Sequence, residues 1–273
     1  MIGVVACEAL YSELERLLDD LGIDAEVRYV PQELHEFPVN VPSETRIGDA
    51  LQSRVDELDR PEMDRIVVSY ATSGGGVAGL VTEHAPLVVS TADDCISSFI
   101  YRTEDWTMGE PKEFGTYYLS RGWIDCGVDS YKLYRAYCGT DDELLARFER
   151  AAADHPDMRV TWNEGELFER ALDRRDLDAE QAGRFFHKVL EYFRRVKLID
   201  NGNLYEFHRA YAEEFRSFVA ELSAAHGDGH DVDLEVIDGD LHLLRTLLTA
   251  DPDEDSDCEF VETVPAGTPV GRV

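Results

Sequence analysis

The sequence predicts an α/β protein: a Rossmann-like, mostly parallel sheet flanked by helices, arranged in two lobes. Three observations carry this. In the first half, short apolar runs alternate with segments of helical period. A similar alternation resumes in the last third, where LIDNG and VIDGD resemble each other at two strand ends. The chain has 273 residues, 44% of them hydrophobic, enough for one large core or two ordinary ones. The expected divisions are 1–125, a Rossmann-like lobe; 126–180, a mostly helical insertion or connection; and 181–273, a second α/β lobe.

In chain order, IGVVAC reads as a strand. EALYSELERLLDDLG follows with Leu10, Leu14, Leu17, Leu18 and Leu21 at helical spacing, and Gly22 ends it. DAEVRYV is a second strand. SETRIGDALQSRVDEL is a helix with Ser43 as a cap-like start. RIVVSYA and PLVVST are the third and fourth strands. ADDCISSFIYR is a helix with acids in its first turn, where the dipole favours them. GTYYLSRGWIDCG holds a short strand and then a turn. The charged stretch from Thr140 to Asp178 reads as helical pieces at the periphery. AEQAGRFFHKVLEYFRR, LYEFHRAYAEEFRSFVAEL and LHLLRTLLTA are helices, separated by strands VKLIDNG and VDLEVIDGD, with CEFVETVP as a last strand. Strands are expected near 2–7, 24–30, 65–71, 86–90, 196–200, 234–237 and 259–263.

Net charge is −31, from 57 acidic and 26 basic residues, and only Lys112, Lys132, Lys188 and Lys197 are lysines. Such a field repels nucleic acid and anionic membranes. The acids are spread along the chain, as in halophilic proteins of a high-salt cytoplasm, rather than gathered as a surface for a basic partner. No apolar run approaches a membrane span, and MIGVVACEAL reads as a strand rather than a signal peptide, so a cytoplasmic location is expected. The five cysteines show no tight spacing, which suits reduced thiols better than a disulfide framework.

Ligands of open parallel sheets bind beyond the carboxyl ends of the strands. Cys7 and Glu8 end the first strand, His35 follows the second, Ser73, Gly74, Gly75 and Gly76 follow the third, and Asp94 and Cys95 follow the fourth. Cys7, His35 and Cys95 form a ligand set suited to zinc or iron. In an enzyme, Cys7 is the nucleophile or ligand, and Glu8 or His35 the proton carrier. The competing account makes both cysteines small buried packing residues. GGGVAG matches G-x-G-x-x-G, but after the third strand, and no lysine follows to make a Walker loop. What remains is a run of amides at a helix N-terminus, suited to a small anion, or a close-packed turn. Tyr117 and Tyr118 either floor a pocket or belong to a core.

VACEAL, LHEFP, YATSGGG, ADDCI, GTYYLSRGWI, VKLIDNG, GDLHLLRTLL and VPAG, in this order, resemble the family called domain of unknown function 1638. The resemblance covers nearly the whole chain, with the Thr140 to Asp178 stretch resembling an insertion. It implies a link to one-carbon or corrinoid metabolism, because family members lie near genes of corrinoid-dependent methyltransferases. The family pattern Y-G-x-C-G-x-G places a cysteine where this chain has Ser73, so a three-thiolate cluster is not expected, while a mononuclear site survives. The expected function is binding or acting on a small anionic metabolite, with or without a transition metal. The alternative is an accessory protein that binds a corrinoid or a methyltransferase partner.

Overall fold

The computed structural model describes residues 1–35, 43–72, 75–100, 113–166, 168–169, 178–254 and 258–271, and of residues 35 and 43–46 the backbone alone. The strands are β1 (Ile2–Cys7), β2 (Ala25–Val30), β3 (Ile66–Ser69), β4 (Leu87–Ser90), β5 (Thr116–Leu119), β6 (Arg195–Asp200), β7 (Asp233–Asp238) and β8 (Val261–Val264). The α-helices are α1 (Tyr11–Leu21), α2 (Ser43–Leu58), α3 (Ser97–Ile100), α4 (Arg121–Cys126), α5 (Ser130–Tyr137), α6 (Asp141–Asp154), α7 (Ala179–Leu190), α8 (Glu206–His226) and α9 (His242–Thr249). All seven strands expected from the apolar runs are present, and so is the short strand in GTYYL. Among the described residues, no helix is long and apolar enough to cross a membrane.

The chain divides into two compact units, Met1–Glu110 with Gly239–Val273, and Pro111–Asp238. The first contains a five-stranded mixed sheet in the order β2-β1-β3-β4-β8. β1 to β4 are parallel, as expected, and β8 runs antiparallel to β4, pairing Leu87 with Val264 and Ser90 with Val261. This pairing carries the C-terminal residues into the first sheet, so the division differs from the limits 125 and 180 drawn on local composition. β1, β3 and β4 are buried along their whole length, which explains their unbroken apolar runs. Leu10, Leu14 and Leu17 are buried at the start and along the inner stripe of α1. Gly22, at φ 63°, ends that helix: its N–H donates to Asp19 O, and that of Ile23 to Leu18 O.

The second unit holds a three-stranded parallel sheet in the order β5-β6-β7. Its core joins Leu119, Ile124, Phe148, Trp162, Phe186, Leu198, Tyr211 and Phe215. Two expectations change here. GWIDC is the helix α4 rather than a turn: the Ser120 hydroxyl caps it by accepting the Trp123 N–H at 3.2 Å. The Thr140 to Asp178 stretch is not peripheral. Leu144 and Phe148 of α6, then Met158, Trp162 and Phe168, are buried in the core.

Candidate functional site

Strand order decides whether the residues at the strand ends meet. β1, β3 and β4 are neighbours, so their carboxyl ends form one edge of the sheet. Ala6 is paired with Ser69, which places Cys7 and Tyr70 one step further along adjacent strands. Both are fully buried, and Cys95, leaving β4, is 2% exposed. The Cys95 Sγ donates to the Tyr70 carbonyl at 3.7 Å. Burial pushes the Tyr70 phenol well above its ordinary value, and charge on Cys7 and then on Cys95 adds to the effect. Cys7 and Cys95 therefore both neighbour Tyr70, the first by strand register and the second through the Tyr70 carbonyl. All five cysteines of the chain are free thiols.

Ser69 and Ser90, which end β3 and β4, are buried polar residues at the same edge. Among the described residues of the first unit, Glu13 of α1, Gln32 after β2, Thr82, and Ser97 and Ser98 of α3 are the other buried polar side chains. Residue Ala71, next to Tyr70, sits at φ 66°, the one non-glycine among the described residues with positive φ. A left-handed conformation costs a non-glycine residue about 1–2 kcal/mol. The neighbouring Thr72 fastens the turn: its N–H and hydroxyl both donate to Ala92 O, at 2.8 and 3.0 Å. The exits of β3 and β4 are thereby tied together.

The glycine stretch does not open a helix. Gly75 and Gly79 take positive φ, 70° and 87°, and break the helical path. Their amides are used internally: Gly75 N–H donates to Thr72 O, Ala78 N–H to Gly75 O and Gly79 N–H to Val270 O. A Cβ at Gly76 would collide with Ile47 of α2. The turn is therefore a packing surface for α2, and residues 76–79 form turns rather than the start of a helix. Ser73, Gly74 and the His35 side chain lie outside the described residues. The His35 backbone ends a 3₁₀ turn, Gln32–His35, directly after β2.

The remaining expected residues have visible local roles. Glu8 opens the 3₁₀ turn Glu8–Leu10 after β1 and is partly exposed. Asp94 Oδ1 accepts the Ser97 N–H at 2.9 Å and its hydroxyl at 3.0 Å, capping α3. Tyr117 and Tyr118 belong to the second unit. Tyr117 packs against Phe193 and Phe215, with ring centroids 5.2 and 4.5 Å away, while the Tyr118 hydroxyl accepts the Glu113 N–H at 3.2 Å. Among the described residues, no group of three His, Cys, Asp or Glu side chains is placed to hold a metal.

Reading by strand ends passes over Tyr70, Glu13 and Gln32. A signal for Glu13 exists: it falls on the stripe of Leu10, Leu14 and Leu17, where a carboxylate is out of place. A second polar group, in the other unit, is also missed. Its Lys132 is fully buried, donates to Ile124 O and Gly127 O, both at 2.6 Å, and lies over the rings of Phe148, Trp162 and Tyr211. Tyr211 donates its hydroxyl to Asp129 at 2.7 Å. His208 Nδ1 accepts the Tyr205 N–H at 2.9 Å, so Nε2 carries the proton of the neutral ring and donates it to Asp125 at 3.0 Å. Arg121 joins Asp125 to Asp157. These groups satisfy one another and hold α4, α5 and α8 together, which marks them as structural.

Against known proteins, a family model described as "Protein of unknown function (DUF1638)" matches residues 29–248. No curated protein and no solved structure matches.

Proposed function

The chain belongs to the DUF1638 family, whose description names no activity, and we propose from the geometry that the carboxyl edge of the five-stranded sheet binds a small ligand. The base of this site is Cys7, Tyr70 and Cys95. The observation that carries the reading is the gathering of Cys7, Tyr70, Cys95 and the buried Ser69 and Ser90 at the exits of three adjacent strands. Strain at Ala71 falls at the same place, as backbone strain tends to do at functional sites.

The ligand class shifts from the anion expected from the glycine run. Three amides of that turn, those of Gly75, Ala78 and Gly79, are already bonded to Thr72, Gly75 and Val270 carbonyls. The segments leaving the strands, Cys7 to Glu13 and Thr91 to Ser97, contribute Glu8, Glu13, Asp93 and Asp94 and contain no lysine or arginine. A cationic ligand matches that charge. In a catalytic version of the site, Cys7 is the nucleophile and Glu8 or His35 moves the proton. The one-carbon and corrinoid link rests on the family resemblance alone. The dispersed acidic residues fit solubility at high salt better than a docking surface.

A thermal-shift panel at molar salt tests the reading, with small organic amines and divalent cations set against phosphate and small carboxylates. A cation is expected to raise the melting temperature, and less so in Glu8→Gln and Glu13→Gln. Stabilisation by anions only, or by a cation that both variants bind as well as the parent does, contradicts it.

A further inference from the structure

We propose that the outer face of α7, with Phe114 beside it, is the surface through which two copies of this chain associate. It lies in the second unit and uses no residue of the ligand site in the first. Phe114, Phe185 and Tyr192 are 89%, 53% and 62% exposed, and no other phenylalanine, tyrosine or tryptophan is exposed among the described residues. Phe185 and Tyr192 stand seven positions apart, on one stripe of α7 and the turn that follows it, with exposed Lys188 between them. A Cβ at Gly115 would sit 2.7 Å from the Tyr192 carbonyl oxygen, and the Arg194 N–H donates to Gly115 O at 2.8 Å, so the Phe114 segment runs beside Tyr192. Tyr137 of α5, its ring centroid 6.4 Å from that of Phe185, borders the other end. Single exposed apolar residues are ordinary, whereas a contiguous group of them marks an association surface.

Charge identifies the occupant. Residues 184–197, RFFHKVLEYFRRVK, hold five of the chain's 26 basic residues and one of its 57 acidic ones. Neighbouring carboxylates balance them: Glu180 pairs with Arg184, Glu191 with Lys188 at 2.9 Å, Glu113 with Arg195 and with Lys197, and Asp228 lies 3.7 Å from Arg194. The face is therefore near neutral on a chain of net charge −31. Two copies repel each other over most of their surface, and a near-neutral apolar face is where they meet at the smallest electrostatic cost. A strongly acidic partner meets no net positive field here, and a basic one is drawn to the carboxylates elsewhere. The face also complements itself. With two α7 helices antiparallel about Lys188, Phe185 of one copy meets Tyr192 of the other and Arg184 meets Glu191, each contact occurring twice as a two-fold axis requires. The competing surface is β7, the edge of its sheet, where Val236 is 44% exposed. Antiparallel pairing of two β7 strands would set Asp233 against Asp238, and like charges directly opposite oppose pairing.

Sedimentation velocity of the full chain at molar potassium chloride, over a range of chain concentrations reaching about 100 μM, is the test. A monomer–dimer equilibrium is expected. Phe185→Glu and Tyr192→Glu should each weaken it by about tenfold or more, with melting unchanged because both side chains are exposed, while Val236→Glu leaves it as in the parent. Arg184→Glu should weaken the dimer, and Arg184→Glu combined with Glu191→Arg should restore it. Restoration separates a contact across the axis from damage within α7, because the double exchange does not rebuild the Arg184–Glu180 and Lys188–Glu191 pairs of the helix itself. A second measurement needs no variant: hydrogen exchange in residues 184–193 of the unaltered protein should slow as chain concentration rises through the dimer range. A chain that stays monomeric throughout, a dimer indifferent to both aromatic variants, failure of the double exchange to restore it, or slowed exchange confined to residues 233–238 overturns the proposal.

Discussion

Gly76 and Lys132 show how single side chains are set by their surroundings. Gly76 leaves no space for a Cβ against Ile47 Cγ2 and Leu51 Cδ1, so Gly76→Ala is expected to lower stability by about 1–3 kcal/mol in urea unfolding. An unchanged midpoint would mean that α2 does not press on the turn. Burial pushes the Lys132 ammonium below its ordinary value, with Asp129 opposing. Between that lowered value and the unfolded value of about 10.4, the folded state binds fewer protons than the unfolded one. Folding therefore gains as pH rises through the window, and the cost of the buried charge is fully present below it. Urea midpoints of the parent and Lys132→Met, compared at pH 7 and pH 10, should move apart in the parent's favour at the higher pH. No trend would place the ammonium in a solvated setting, and the opposite trend would mean that Asp129 outweighs burial. Such details are poorly legible in sequence. The partners Asp125 and His208 stand 83 positions apart, and Asp129 and Tyr211 stand 82 apart, so no local spacing connects them. Glu13 is the exception, because a carboxylate on a leucine stripe can be read directly.

Elements were legible where burial on both faces writes a continuous apolar run, as in β1, β3 and β4, and where a leucine stripe meets a glycine stop, as in α1. They were less legible where a glycine competes with packing. Gly122 suggests a turn in RGWIDC, but the Ser120 cap and buried Ile124 make it helical. In the glycine run the error is reversed: an expected helix is a turn, because Gly75 and Gly79 adopt positive φ. The segment after α6 misleads by its charge. Asp157, Glu164, Glu166 and Glu169 are exposed while Trp162 is fully buried against Phe148 and Phe168, with ring centroids at 5.5 and 5.0 Å. Trp162→Ala is accordingly expected to destabilise the protein by about 3–5 kcal/mol. A loss below about 0.5 kcal/mol, the scale of ordinary surface substitutions, would return the segment to the periphery.

For the whole molecule, the net charge of −31 sets the response to salt. Screening shortens with ionic strength, to about 3 Å at 1 M, so self-repulsion among carboxylates should weaken the fold in dilute buffer. The melting temperature by circular dichroism should rise from low to molar potassium chloride, and a flat response would contradict this. Mixed strand direction was the feature least accessible from sequence: nothing in the short strand VETV shows its direction, and only its pairing with β4 does. The parallel order of β1, β3 and β4 nevertheless sets Cys7 beside Tyr70, whose carbonyl accepts from Cys95 Sγ, and the functional account depends on that convergence. It is tested most directly with a short thiol-bridging reagent, reacted to completion with the native protein at molar salt and mapped by peptide mass spectrometry. A single bridged peptide pair joining Cys7 to Cys95 is predicted, while Cys7 and Cys95 carrying separate adducts, or bridged to other cysteines, would contradict it.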